Sequence, residues 1–284
     1  MLNLIVNYKI VNDMKKILLS MMVLLMSMTA MAEVKFGYDA GFDLVSTYVW
    51  RGQYNGALSL QPTLAVGFDA VDEKVKFRVG AWGSVGASDY MFKKGSTYFV
   101  PEVDVYATLD IFGLKLGATH YYYFDGTPYF SGLNDAGGSQ TEVQLGFDFG
   151  AITPINLYLN WYTMVAGNDV NTYGNRAYSS YAEVGYRIEL PQEMSLDVNV
   201  GMTPWSGLYT DYDNGWKNGF AVTNVAIRFD KEWELEHATF DLFAQASINP
   251  YDVNKNNVYI WDTGDNKCGG QQKLNGVIGL GVWF

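Results

Sequence analysis

The sequence contains few of the residues that most enzymes and metal sites use. Its 284 residues include one cysteine and two histidines, and only 17% of them are charged. A single cysteine excludes an internal disulfide. The chain also has no Cys/His cluster at metal-ligand spacing, no Gly-x-Ser-x-Gly motif and no phosphate-binding loop. We therefore expect no enzyme, no metal site and no other cofactor.

Basic residues are scarce as well. The chain has 19 lysines and arginines against 30 aspartates and glutamates, a net charge of −11. Because phosphate binding needs clustered basic side chains, nucleic acid is excluded as an expected partner. A disordered chain is also excluded, because such chains are charge-rich and aromatic-poor, whereas 16% of these residues are aromatic.

Only one long apolar run occurs, from Ile17 to Met28. It follows Met14-Lys15-Lys16 and ends at Ala30-Met31-Ala32. A charged start, a short apolar centre and small residues at an A-x-A site are typical of a secretory signal peptide. We predict cleavage before Glu33, which makes residues 1–32 the signal peptide and 33–284 the mature domain. A transmembrane anchor is the alternative.

Residues 1–13 precede the signal pattern, and we interpret Met14 as the true start. The predicted signal peptide contains three lysines and one aspartate, so its removal would change the net charge from −11 to −13. Cys268 lies far from the cleavage site and is not expected to carry a lipid. We interpret it as an incidental loop thiol, with an intermolecular bridge as the alternative.

The mature chain repeatedly alternates apolar and polar residues with a period of two. In 142–149, Val143, Leu145 and Phe147 share one face and Glu142 lies on the other. Segments of about ten residues with this pattern, separated by turns, are typical of transmembrane β-barrels. The alternation also explains why a chain that is 49% hydrophobic has a mean hydropathy of only −0.04.

We predict an all-β fold: one transmembrane, antiparallel, up-and-down barrel of about twelve strands. The predicted strands are 36–50, 57–70, 74–86, 97–111, 113–124, 140–150, 155–166, 178–190, 194–204, 218–231, 236–248 and 273–284. Short and long connections alternate, as do the periplasmic turns and outer loops of such barrels. An even strand number then places both termini on the periplasmic side and Arg51–Asn55 in the first outer connection. A soluble β-sandwich is the alternative, but it does not explain this alternation.

The last strand has apolar residues at alternate positions and ends on Phe284. This ending is similar to the assembly signal of bacterial outer-membrane proteins, so Phe284 is the expected signal for the barrel assembly machinery. Aromatic residues near predicted strand ends are expected to form interfacial girdles. They are Tyr48, Trp50, Tyr121 to Tyr123, Trp161, Tyr162, Trp205, Trp283 and Phe284.

Three segments near the N-terminus resemble one known family. The stretch from Asp43 to Gln53, with Val45-Ser46-Thr47-Tyr48-Val49-Trp50-Arg51-Gly52 at its centre, is similar to the first strand of the TorF-type porin family. Ser59–Leu64 and Gly80–Ser84 resemble the second and third strands of that family. The resemblance covers about 45 residues and implies a porin-like barrel in the outer membrane of the Gram-negative envelope. It supplies no substrate, and the later loops match no pattern of the family.

If the apolar faces meet lipid, the polar faces line the interior. Thirteen acidic and six basic residues fall on this face, and surplus carboxylates in a narrow pore favour cations. The candidate lumen and constriction residues are Asp43, Arg51, Glu102, Asp104, Asp110, Glu142, Asp148, Lys76, Arg78, Arg187 and Arg228. The interior of a barrel of about eight strands is filled by side chains, and a barrel of 16–18 strands encloses an open channel, so twelve strands give an intermediate width. At this width, large inward residues such as Tyr106, Tyr121 and Trp82 predict a constricted lumen. A polar plug is the alternative.

The predicted function is therefore a narrow, acidic-walled, passive channel for small hydrophilic solutes, with a preference for cations. The alternative is a non-conducting barrel with a surface or structural role. Its expected partners are outer-membrane lipid, the assembly machinery and small solutes. Uptake of apolar compounds is disfavoured, because it would need an apolar lumen.

Arg51, two aspartate-rich loops and the two histidines have further interpretations. Arg51 is either a constriction or loop-anchoring cation, or a rim arginine paired with a carboxylate such as Asp43. The loops 211–215 and 262–266 are rich in aspartate, but they lack the ligand spacing of a calcium loop and are interpreted as solvated turns. His120 is expected on the lipid-facing side near the outer interface, and His237 at a periplasmic turn.

Overall fold

The computed structural model describes residues 33–86, 102–124, 129, 138–171, 173–210, 220–251 and 274–284. The predicted signal peptide, the two aspartate-rich loops and Cys268 lie outside these ranges. Their interpretations stay predictions.

Twelve strands form one closed, antiparallel barrel in which each strand pairs with its neighbours along the chain. The first strand pairs with the last, with Leu44 opposite Leu280, and this closes the barrel. The predicted all-β, antiparallel, up-and-down barrel of twelve strands is confirmed. The strands are β1 (Val34–Val45), β4 (Ser59–Ala70), β5 (Val75–Gly86), β6 (Glu102–Ile111), β7 (Leu114–Tyr122), β8 (Ser139–Asp148), β9 (Leu157–Gly167), β10 (Ser180–Leu190), β11 (Met194–Thr203), β12 (Ala221–Glu234), β13 (Thr239–Ile248) and β14 (Leu274–Trp283).

Two short strands, β2 (Tyr48–Trp50) and β3 (Gln53–Gly56), pair only with each other. A 3₁₀ turn, Phe149–Ala151, follows β8. Within the described ranges, no helix is long and apolar enough to cross a membrane.

The first predicted strand, 36–50, is wrong at its end. The strand leaves the sheet after Val45, where Ser46 exchanges two hydrogen bonds with the backbone of Ile278: Ser46 N donates to Ile278 O at 2.8 Å, and Ile278 N donates to Ser46 Oγ at 2.9 Å. Tyr48 and Trp50 continue the alternation in the sequence but belong to β2. A period of two identifies a strand without showing which sheet it joins.

The barrel has a short-turn end and a long-loop end. The turn between β6 and β7 contains only Phe112 and Gly113, with φ of 50° and 87°. Two positive φ values are typical of the two-residue type I′ turn, which follows the twist of paired strands. The connections after β1, β5, β7, β9, β11 and β13 are longer, and the strand ends that they join lie at the opposite end of the barrel. This rhythm matches the one predicted from the sequence.

The outer face of the barrel is apolar around its middle. Leu64, Ile278 and Leu280 are 62%, 63% and 54% exposed. Aromatic pairs occupy the outer face towards both ends. Phe68 and Phe77 lie 5.6 Å apart at the short-turn end, and Trp161 and Trp205 lie 6.1 Å apart towards the long-loop end. Polar side chains alternate with these apolar ones and point to the interior.

Candidate functional site: an inward hairpin and the lumen beneath it

The β2–β3 hairpin folds into the mouth of the barrel. The Tyr48 ring lies 5.5 Å from that of Trp82 on the inner face of β5. The Trp50 ring lies 5.6 Å from that of Tyr121 on the inner face of β7. The hairpin therefore packs against the lumen wall, so the prediction that Tyr48 and Trp50 belong to an interfacial girdle is wrong. For Tyr121, which the sequence places both in the girdle and among the inward residues, the inward position agrees with the structure.

The tip of the hairpin is a tight turn formed by Arg51 and Gly52. Their φ values are 51° and 78°, which again fits a type I′ turn. A Cβ atom at Gly52 would lie 2.5 Å from Thr223 O on β12. Asn275 Nδ2 on β14 donates a hydrogen bond of 3.1 Å to Gly52 O. Gly52 thus provides both the backbone conformation and the close approach to the wall.

Arg51 forms a bidentate ion pair with Glu142 on β8. Its two terminal nitrogens donate to Glu142 Oε2 at 2.7 Å and Oε1 at 2.6 Å. The two side chains are only 9% and 3% exposed. Arg51 also donates a hydrogen bond to the hydroxyl of Tyr209, and burial raises the pKa of Tyr209 well above its usual range. Planar bidentate pairing of this kind fixes both position and orientation.

Aromatic rings surround the same guanidinium group. Its central carbon lies 3.8 Å from the ring centre of Tyr162, 4.6 Å from that of Trp50 and 5.0 Å from that of Tyr181. Aromatic faces attract cations, and the attraction strengthens when the cation is desolvated. We call Arg51, Glu142, Trp50, Tyr162, Tyr181 and Tyr209 the Arg51 cluster.

A second loop holds the hairpin in place. Residues 204–210 follow β11, and Leu208 O accepts a hydrogen bond of 3.2 Å from Gln53 Nε2. Leu208 N in turn donates to Ser179 Oγ at 2.8 Å. Both loops come from the long-loop end, so the hairpin and residues 204–210 together narrow the lumen there.

The structure distinguishes the two interpretations of Arg51. Arg51 pairs with Glu142 inside the barrel, so the suggested rim pair with Asp43 is wrong. Asp43 is instead one of the residues that line a cavity deeper in the lumen. The loop-anchoring interpretation agrees with the observed contacts.

The remaining inner-face cations form ion pairs nearer the short-turn end. Arg78 pairs with Asp69 at 2.9 Å and with Asp39 at 3.3 Å. Arg228 pairs with Asp230 at 2.6 Å and with Asp241 at 3.6 Å. Lys115 pairs with Asp110 at 3.0 Å, and Arg187 lies 3.8 Å from Asp197.

Two of the candidate residues lie at the short-turn rim, away from the hairpin. Lys76 pairs with Glu73 of the adjacent turn at 3.2 Å. Asp148 accepts a hydrogen bond of 2.9 Å from Gly150 N and caps the 3₁₀ turn. Neither contacts the Arg51 cluster.

Asp43, Glu102, Asp104 and Glu183 lie on the inner face and have no salt bridge to another described residue. Glu183 receives hydrogen bonds of 3.4 Å from Asn160 and from Tyr181. Glu102 and Asp104 lie two positions apart on the same face of β6 and are 3% and 5% exposed. These four carboxylates lie in the middle and the long-loop half of the lumen.

A cavity of about 350 Å³ lies in the lumen beside the hairpin. Its wall contains Asp43, Gln61, Asp104 and Arg228 and several aromatic rings, among them Trp82 and Tyr106. Within the described ranges, no group of three or more His, Cys, Asp or Glu side chains could hold a metal ion.

The sequence did not identify the aromatic part of the Arg51 cluster. The alternation places Tyr162 on the inner face, yet it gives no depth and does not relate β9 to a residue in the first loop. Tyr209 lies in a loop, where no periodicity applies. His120 faces outward as predicted, but it is only 8% exposed, because Nε2 bonds to the backbone oxygen of Tyr129 at 3.0 Å and the ring packs against Tyr129.

No family model and no curated protein matches this chain. Among solved structures, the chain is similar to a FadL homologue from Pseudomonas aeruginosa, with 11% identity and a TM-score of 0.32. The alignment covers 88% of this chain and 75% of the homologue. The closed barrel is shown by the strand pairing of this chain.

Proposed function

We propose that this chain is an outer-membrane barrel that passes small hydrophilic solutes through a constricted, acidic lumen and prefers cations. The observation that carries the proposal is a closed barrel with an apolar exterior and a charged interior. In water, such an exterior would leave a large apolar surface unburied. In a bilayer, the same surface is solvated by lipid, and the aromatic residues towards both ends lie where the interfaces would be.

The strand lengths support a membrane location. The barrel strands contain 9 to 14 residues. A tilted strand of about 9–11 residues crosses the hydrocarbon core of a bilayer. The proposal places both termini and the short turns on the periplasmic side, because outer-membrane barrels have short periplasmic turns and long outer loops. The predicted signal peptide agrees with this location.

The lumen charges support a preference for cations. The described cations on the inner face have carboxylate partners, whereas Asp43, Glu102, Asp104 and Glu183 have no salt bridge within the described ranges. The remaining negative charge would attract cations into a narrow pore by Coulomb interaction. The proposal requires no catalytic step and no cofactor.

The second candidate function is a non-conducting barrel with a surface or structural role. It is favoured by one observation, the hairpin whose tip is fixed to the inner wall through Glu142 and Asn275. If this hairpin stays in place, the wide part of the lumen does not continue to the long-loop end. In that case only the long loops would interact with partners.

Planar-bilayer recording in a KCl gradient distinguishes the two functions. The purified, folded protein is expected to give discrete current steps whose reversal potential shows cation selectivity. Silent bilayers from protein that migrates faster unheated than boiled on a mild-detergent gel would favour the non-conducting barrel. Steps that select for anions would contradict the acidic-lumen account.

A further inference from the structure

The cavity beside the hairpin contains polar atoms that lack partners. Asp43 Oδ1, Gln61 Nε2 and Asp104 Oδ1 are buried and have no hydrogen-bond partner among the described residues. Gln61 and Asp104 are 8% and 5% exposed. Because buried polar groups are nearly always hydrogen-bonded, this set indicates a place where a ligand or water completes the bonds. It consists of two carboxylate acceptors and one amide donor.

The charge balance of the cavity favours a cation. Asp43 and Asp104 contribute two carboxylates to its wall, and Arg228 is the single basic residue among the lining residues. Arg228 already pairs with Asp230 and Asp241, and it lies 3.8 Å from the ring centre of Phe243. Asp104 has no basic partner within the described ranges. An isolated buried carboxylate is costly, and a bound cation would offset that cost.

The rest of the wall favours an organic cation. Its rings belong to Tyr48, Trp50, Trp82, Tyr106, Tyr121 and Phe243. Aromatic walls stabilise weakly hydrated ammonium groups through their negative faces, which is how quaternary ammonium ligands are recognised. The volume of about 350 Å³ lies within the range of small-molecule sites.

We propose that this cavity is a binding site for a small organic ammonium ion that also carries a hydroxyl or carbonyl oxygen. The ammonium group lies between the carboxylates of Asp43 and Asp104 and against the rings, and Gln61 Nε2 donates to the oxygen. This inference rests on the proposed function, because it takes the cavity to be part of a water-accessible lumen. It adds the class of solute that binds there, a small organic cation.

Titration calorimetry with choline tests this site in the purified, folded protein, held in uncharged detergent at constant ionic strength. Choline is expected to bind saturably, whereas its neutral isostere 3,3-dimethylbutan-1-ol is expected not to bind. Asp104→Asn should weaken choline binding at least tenfold, because it removes the charge and keeps the shape. Asp43→Asn, on β1, should weaken it several-fold.

Asp110→Asn is the matched control. Asp110 lies on the same strand and the same face as Asp104, and its replacement by Asn removes the same charge. Unlike Asp104, it pairs with Lys115 and is not part of the cavity wall. Its choline affinity should stay within twofold of the wild type. Equal losses in the two variants, equal binding of the neutral isostere, or no saturable binding to folded protein would overturn the proposal. Bilayer currents in KCl without choline report on the channel separately, so either proposal can fail alone.

Discussion

Arg51 combines three costly features: a charge inside the barrel, a left-handed backbone conformation, and a long side chain fixed in one position. Non-glycine residues with positive φ cost about 1–3 kcal/mol and persist where the surroundings hold them in place. Here Glu142, four aromatic rings and the adjacent Gly52 supply those contacts. The residue is therefore interpreted as the anchor that holds the first loop inside the lumen.

Removing the anchor should widen the constriction. In Arg51→Ala, Glu142 loses its bidentate partner, and breaking such a buried pair typically costs about 3–5 kcal/mol. We expect the hairpin to leave the wall and the unit conductance in planar bilayers to rise. Lys115→Ala, which removes a cation near the short-turn end, should leave the unit conductance close to that of the wild type. Equal conductance of Arg51→Ala and wild type would show that the hairpin does not limit the current.

Gly52 provides a test of how closely the hairpin tip approaches the barrel wall. A Cβ at Gly52 would lie 2.5 Å from Thr223 O, whereas a Cβ at Gly174 would meet nothing within 4 Å, although their φ values, +78° and +75°, are similar. Gly174→Ala therefore reports backbone strain alone, and Gly52→Ala adds a steric clash with the wall. We expect faster hydrogen exchange in residues 48–56 only for Gly52→Ala. The same exchange rate in both variants would contradict the docked turn.

At the scale of elements, the strands could be predicted from the sequence and the hairpin could not. Alternation located all twelve barrel strands, because each has one face towards the polar interior and one towards the apolar exterior. The hairpin shows the same alternation, but its position depends on contacts with Glu142, Tyr209 and Thr223, far away in the sequence. Local patterns contain no information on such contacts, so the alternation predicts a first strand, 36–50, that is too long and leaves two interpretations of Arg51.

The seam between β1 and β14 leads to a prediction about assembly. Phe284 N donates a hydrogen bond of 2.8 Å to Ala40 O, so the terminal residue extends the closing pair of strands. Its side chain is 61% exposed on the outside of the barrel. Deletion of Phe284 should reduce the amount of folded barrel in outer membranes, as measured by heat-dependent gel mobility. Phe284→Tyr, which keeps an aromatic terminus, should assemble normally, and normal levels of the deletion variant would contradict the assembly-signal interpretation.

At the scale of the whole molecule, the proposed function requires that the outer face of the barrel contacts lipid. Leu64 lies in the middle of β4, paired with Ala40 and Ala81, and is 62% exposed. Leu64→Arg should lower the free energy of unfolding in lipid vesicles by about 2–4 kcal/mol, the cost of a charge near the bilayer midplane. Val34→Arg, at the short-turn end of the same outer face, should cost only about 0–1 kcal/mol. Equal costs at the two depths would argue against a bilayer around this barrel.

The interior of the barrel is a lumen that is charged throughout and narrowed at one end. Ion pairs near the short-turn end leave the surplus carboxylates in the middle and towards the hairpin. We propose that the exterior places the barrel in a membrane, that the carboxylates set the preference for cations and that the hairpin limits the current.

One measurement tests most directly whether the hairpin limits the current: the unit conductance of the wild type compared with that of a variant without the hairpin. Val45 already pairs with Ser59, so a two-residue Asn-Gly turn can replace residues 46–58 without changing the strand register. Both proteins should migrate faster unheated than boiled, which shows that each barrel is closed. We expect small, cation-selective steps from the wild type and clearly larger steps from the shortened barrel. Equal steps from the two closed barrels would contradict this expectation.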